Sequence, residues 1–180
     1  MYVAIAGFRN AKIGNVDRFF NTARNELQNI EAIQFFDAKL IATWQHLYFA
    51  VLNALTAFAN RTNISNNLSI ETLLYASAQR QIKKATETMG IKSTTTDIAV
   101  LVLAKSEKSV GEALNRVQKL ISAKLDDNLL ELSPEKFVGI KRFFGISDVE
   151  LSAKLERKGL EEDALVDLVI EHGALLATQR

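Results

Sequence analysis

The sequence contains no cysteine. That excludes disulfides, thiolate metal ligands and a thiol nucleophile together, and it fits a reducing compartment. It has a single proline and eight glycines, too few for a flexible linker, and Gly7, Gly14 and Gly111 stand too far apart for a phosphate-binding loop. Only two histidines occur, His46 and His172, with no spacing that resembles a zinc site. The longest apolar run, near Ile98 to Ala104, falls well short of the roughly 20 residues needed to cross a bilayer. Neither sign of charge dominates, with 22 basic and 21 acidic residues and a net charge of +1. Bulk charge therefore argues for no nucleic-acid binding, and any RNA contact must use a local patch. The first residues, Met1-Tyr2-Val3-Ala4-Ile5, lack a basic start leading into an apolar stretch of leader length. The cytoplasm is the expected location, with the nucleus as the alternative for a eukaryotic source.

What is present is an ordinary globular composition, 48% apolar and 24% charged over 180 residues. That length suits a single domain over 1–180, able to bury about two-thirds of its unfolded surface. Apolar periodicity predicts a strand at 2–8 and a helix at 16–28 capped by Asn15. A second strand is expected at 31–37, followed by a helix that opens at Thr43. After the polar segment Asn60 to Asn67, Ser69 opens a helix that Gly90 is placed to close as a left-handed residue. The run 97–104 is nearly all apolar, which predicts a central strand covered on both faces. A helix at about 107–122 and a short extended piece at 128–132 follow. Ser133-Pro134-Glu135 is a helix start, with further helices from near Ser147 and Leu160. The expected fold class is α+β, a small, mostly antiparallel sheet with helices packed on it and a helical C-terminal part over 133–180.

The catalytic inventory is thin. His46 and His172 lie in apolar helical stretches, where a hydrogen-bonded structural imidazole is the plainer reading. Asp126-Asp127 falls in a turn, and Glu161-Glu162-Asp163 falls in the first turn of a helix, where carboxylates meet the macrodipole favourably. An enzyme using His46 or these acids would need a pocket of converging titratable groups. No such motif is visible in the sequence.

Ser69 to Ala85 carries more information. At about 100° per residue, Ile70, Leu74, Ala78, Ile82 and Ala85 share one face. Gln81 falls inside that apolar sector, Ser77 at its edge and Arg80 just beyond. A buried amide needs hydrogen-bond partners, so Gln81 either ties down a loop or forms a polar notch that holds a ligand. Asn60-Arg61 before the helix, with Arg80, Lys83, Lys84 and Lys92, makes a basic run around it.

At this helix the chain resembles a known family. Asn60, Arg61, Leu68, Glu71, Leu73-Leu74-Tyr75-Ala76-Ser77, Arg80-Gln81-Ile82, Ala85 and Gly90-Ile91-Lys92 match the pattern of the kinase-binding subunit of the KEOPS/EKC complex, whose human relative is called PRPK-binding protein. The resemblance runs more loosely from the first strand through Lys141 and over the final helix. Two departures stand out. The family's glycine after the serine is Ala78 here, and the segment from Phe143 to Gly159 is longer than in compact members.

The resemblance implies a non-catalytic accessory subunit without a cofactor or small-molecule substrate. It would bind the small atypical kinase/ATPase of the complex. It would also hold the 3′ CCA end of tRNA while another subunit makes threonylcarbamoyladenosine. By that analogy Asn60, Arg61, Arg80, Gln81, Lys83 and Lys84 are the candidate tRNA surface. The alternative is a regulatory subunit that binds protein and no RNA.

The last helix supplies a hint of its own. Leu165, Val166, Leu168, Val169, Ile170, Leu175, Leu176 and Ala177 cover more than half of its circumference, where one apolar stripe would anchor it. A second face is then covered either by the extra helices or by a partner. With the family resemblance, Leu165, Val169, Ile170 and Leu176 are the candidate kinase contacts.

Overall fold

A computed structural model describes residues 1–158 and 160–178. Four strands form one antiparallel sheet: β1 (Tyr2–Arg9), β2 (Ala32–Asp37), β3 (Ile98–Ala104) and β4 (Lys124–Leu125), in the order β2-β3-β1-β4. The fold class is α+β, as the sequence pattern predicted. Every residue of β3 is buried, because this strand lies inside the sheet with helices on both faces. Alternation of side chains along it divides the interior in two. Ile98, Val100, Val102 and Ala104 pack with α1 (Val16–Glu26) and α5 (Glu107–Ile121). Ala99 and Leu101 face a larger core built on α2 (Trp44–Ala59) and α3 (Leu68–Ser77). Phe35 and Phe36 on β2 point to these two opposite cores.

Local signals account for most helix ends. The Asn15 carboxamide accepts from Arg18 N–H at 2.8 Å, and Ser133 caps α6 (Pro134–Phe144), with the proline in its first turn. Thr43 precedes α2 as expected. Asn67 caps α3, accepting from Ile70 N–H at 3.1 Å, so that helix starts slightly before Ser69. In the C-terminal part, α7 (Asp148–Lys158) and α8 (Glu161–Ala174) close the larger core through Leu151, Ala164, Leu165, Leu168 and Val169.

Three expectations are corrected. The helix expected between Ser69 and Gly90 is two helices, α3 and α4 (Ile82–Met89), separated by a turn with Ala78 in the left-handed region at φ 50°. Gly90 is extended at φ −70° and bridges Phe36 on the sheet edge, so it does not act as a left-handed cap. The piece at 128–132 is a 3₁₀ turn over Asp127–Leu130, and the short strand precedes it at Lys124–Leu125.

Candidate functional site

The break between α3 and α4 is held from several sides. Gln79 N–H reaches back to Leu74 C=O at 3.1 Å while Ala78 N–H bonds Tyr75 C=O at 3.2 Å, the crossed pattern that closes a helix on a left-handed residue. Ser77 is fully buried, and its hydroxyl donates to the Leu73 and Leu74 carbonyls at 2.8 and 3.2 Å. From α2, His46 Nε2 donates to Ala76 C=O at 2.8 Å. That fixes the neutral tautomer, since Nδ1 accepts from Ala42 N–H at 3.3 Å. Burial pushes the His46 imidazole down to about 4, helped by the nearby Lys136 charge and opposed by the bond to Ala76. From α8, Gly173 lies so close that a Cβ there would sit 2.7 Å from the Tyr75 carbonyl oxygen. Arg80 completes the set, with Nη1 donating to Leu176 C=O at 3.3 Å.

On this frame Arg80, Gln81, Lys83 and Lys84 are all exposed. Gln81 is the residue before α4 and not a buried amide, because the turn at Ala78 resets the helical phase on which the apolar sector was drawn. The same reset turns Ile82 outward, 45% exposed among the basic residues. Sequence periodicity had assigned Ile82 to the buried face. The turn from Ala78 to Lys84 is therefore a rigid, outward polar and basic surface with one apolar side chain in it.

Asn60 and Arg61 are exposed too, but they lie at the other end of α3. Its ten residues span about 15 Å. The loop that carries them is tied to the start of α3 by Glu71, a fully buried carboxylate. Its oxygens accept from Ile64 N–H at 3.0 and 3.1 Å and from Ser65 N–H at 2.7 Å. The structure thus brings four of the six tRNA candidates together and sets two apart.

Leu165 and Val169 on α8, and Leu176 in the 3₁₀ turn Leu175–Thr178 that follows it, are core residues with no more than 1% exposure. They are not available for contact with another molecule, which corrects their reading as kinase contacts. The surplus apolar face is covered within the chain, by α7, α2 and α3. Ile170 is half-buried. Exposed apolar side chains occur on several elements, and on α2 three aromatic ones stand together, Trp44, Tyr48 and Phe49, 50%, 37% and 43% exposed. Their rings meet edge to face, Trp44 to Tyr48 at 6.1 Å and Tyr48 to Phe49 at 5.9 Å.

The sequence model of kinase binding protein CGI-121 matches residues 13–176. The chain belongs to the CGI-121 family. It is also 29% identical over 164 residues to regulatory protein Cgi121 of Methanocaldococcus jannaschii, a match covering 91% of this chain and 97% of that relative. Within this CGI-121 chain, the acidic groups flagged in the sequence have structural partners or positions. Asp126 pairs with Arg9 at 3.0 Å and Asp127 accepts from Gly7 N–H at 3.0 Å. Glu161, Glu162 and Asp163 lie in the first turn of α8. Two adjoining clefts between α1, β2 and α3, of about 320 and 550 Å³, share Phe20, Arg24, Gln34 and Ile70. His46, Asp126 and Asp127 line neither cleft. No group of three metal-ligating side chains occurs among the described residues, and none of their helices is long and apolar enough to cross a membrane.

Proposed function

We propose that this CGI-121 protein is a non-catalytic accessory subunit of the KEOPS complex, which binds the small atypical kinase/ATPase and the 3′ CCA end of tRNA. The reading rests on membership of a family of kinase binding proteins and on the surface from Ala78 to Lys84. A single-stranded end can be held by charge-assisted contacts from Arg80, Lys83 and Lys84 to phosphates, with Gln81 bonding a base edge and Ile82 under a base face. Bonds to His46, Leu74 and Tyr75 hold the backbone there and Leu176 C=O holds the Arg80 side chain, so little ordering entropy is lost on binding. The test is tRNA binding with and without the CCA end. The Lys83→Glu/Lys84→Glu double variant should weaken binding of intact tRNA about tenfold and flatten its salt dependence by about two units. Equal binding of the shortened tRNA would leave the protein-only regulatory reading in its place.

For the kinase, the favoured contact is the aromatic ridge of α2, because exposed Trp and Tyr are the residue types that dominate interface energy. Ile170, half-buried on α8, remains a further candidate contact. Trp44→Ala should weaken kinase binding by about 2 kcal/mol or more in a titration. An unchanged affinity would move the interface off α2.

A further inference from the structure

One end of the sheet gathers positive charge beyond the turn just described. β1 and β2 end there, β3 begins there, and α5 runs back to it. Three loops at that end are bound together: Ala11 N–H to Thr96 C=O at 2.8 Å, Ala38 N–H to Asp97 C=O at 3.0 Å, and Thr95 Oγ1 to an Asp37 carboxylate oxygen at 3.3 Å. They carry Lys12, Lys39 and Lys92. Lys12 N–H also bonds Ile121 C=O at 3.0 Å, beside Lys119 in the last turn of α5. Lys124 on β4 lies opposite Arg9 on β1.

All five lysines are exposed, and none makes an ion pair among the described residues. Elsewhere Lys83, Lys105, Lys108, Lys141 and Lys154 all have acidic partners. The acids at this end offset part of that charge without an ion pair to any of the five: Asp37 accepts from Lys39 N–H and the Thr95 hydroxyl, Asp126 pairs with Arg9, Asp127 accepts from Gly7 N–H, and Asp97 lies just before β3. In a chain of net charge +1, this is a local concentration of positive charge. The C-terminus of α3, bonded through Ala76 to His46 at the start of α2, faces the same end. Arg80, Lys83 and Lys84 therefore stand at one side of a basic rim that continues through Lys39 and Lys92 to Lys12, Lys119 and Lys124. The rim crosses four strands, about 14 Å from edge to edge. A width of that order exceeds one phosphate spacing, and evenly exposed lysines without base-reading side chains suit backbone contact and carry no sequence information.

We infer that Lys12, Lys39 and Lys92, with Lys119 and Lys124, bind the phosphate backbone of the RNA helix that adjoins the single-stranded tail. This inference rests on the tail reading, so the test separates the two. Binding of a short single-stranded RNA ending in CCA and of full-length tRNA is measured over a salt series. The proteins are wild type, Lys12→Glu/Lys39→Glu/Lys92→Glu, the matching triple glutamine variant, and Lys83→Glu/Lys84→Glu. The triple glutamate variant should bind tRNA about tenfold or more weakly, with a salt slope reduced by about two to three, and should bind the short RNA within about twofold of wild type. The glutamine variant should show the same pattern in milder form. Unchanged tRNA binding overturns the inference. So does equal weakening on both RNAs, which would mean undirected attraction. If tRNA binding is unaffected and only binding to anionic vesicles is lost, the surface faces a membrane and the inference also fails. Loss on tRNA by the triple variant, with no effect of Lys83→Glu/Lys84→Glu on the short RNA, would retire the tail reading and keep the rim.

Discussion

Ala78 adopts φ 50° and ψ 35°, a conformation that costs an L-residue with a Cβ about 1 kcal/mol or more. The turn needs a left-handed residue to close α3, a conformation that glycine adopts without strain. Replacing it with glycine removes the strain without touching the exposed surface. Ala78→Gly should raise stability by about 1 kcal/mol and the melting temperature by roughly 2–4 °C, read by thermal unfolding. His46 makes a second residue-level expectation. Its imidazole is neutral in the fold down to about pH 4, against an ordinary value of 6.5. Between those values the unfolded chain binds more protons, so the contribution is full above pH 6.5 and is lost as pH falls toward 4. The loss amounts to about 3 kcal/mol. Wild type should show that excess slope in urea midpoints measured from pH 7 to pH 4, and His46→Gln should lack it. A flat wild-type profile would mean the imidazole is not held neutral by the Ala42 and Ala76 bonds.

At the scale of elements, α8 is a packing helix that shapes the site from behind. Gly173 lets it approach Tyr75, and Leu176 both fills the core and offers its carbonyl to Arg80. Gly173→Ala would place a methyl group 2.7 Å from a backbone oxygen. The two helices must then move apart, at a cost of about 1–3 kcal/mol. Chemical denaturation should show that loss, and the amides of Ala78 to Gln81 should exchange faster with solvent. The loop before α3 depends in the same way on Glu71, whose buried carboxylate holds Ile64 and Ser65. Much of this level is legible in the residues. Asn15 and Ser133-Pro134 mark helix starts by local chemistry, Thr43 stands at the start of α2 without a side-chain cap bond, and the uninterrupted apolar run at Ile98–Ala104 marks the inner strand. The break at Ala78 is not legible, since Ala-Ser-Ala-Gln-Arg-Gln contains neither glycine nor proline. Tertiary bonds to Ala76 and Leu176 accompany it, and one missed turn carries Gln81 and Ile82 from an inferred interior to the surface.

For the molecule as a whole, apolar content is a poor guide to which face meets a partner. The richest apolar helix after β3 is α8, yet α2, α3 and α7 cover it, because the helices beyond Phe143 fold back onto the same core. The exposed aromatic cluster lies instead on α2, at Trp44, Tyr48 and Phe49. Charge behaves similarly: the net value of +1 hides a rim of exposed lysines at one end of the sheet, five of them without an ion pair among the described residues. Only the topology, which brings residues 12, 39 and 92 to that end, makes the rim visible. The outward turn between α3 and α4, as the place where an RNA end is held, is the central element of the proposed function. The most direct measurement is a backbone amide NMR titration of the free protein with a short single-stranded RNA ending in CCA. Saturable shifts centred on Ala78 to Lys84, absent when the three terminal nucleotides are removed, are the predicted result. Shifts confined to other surfaces, or none at millimolar RNA, would contradict it.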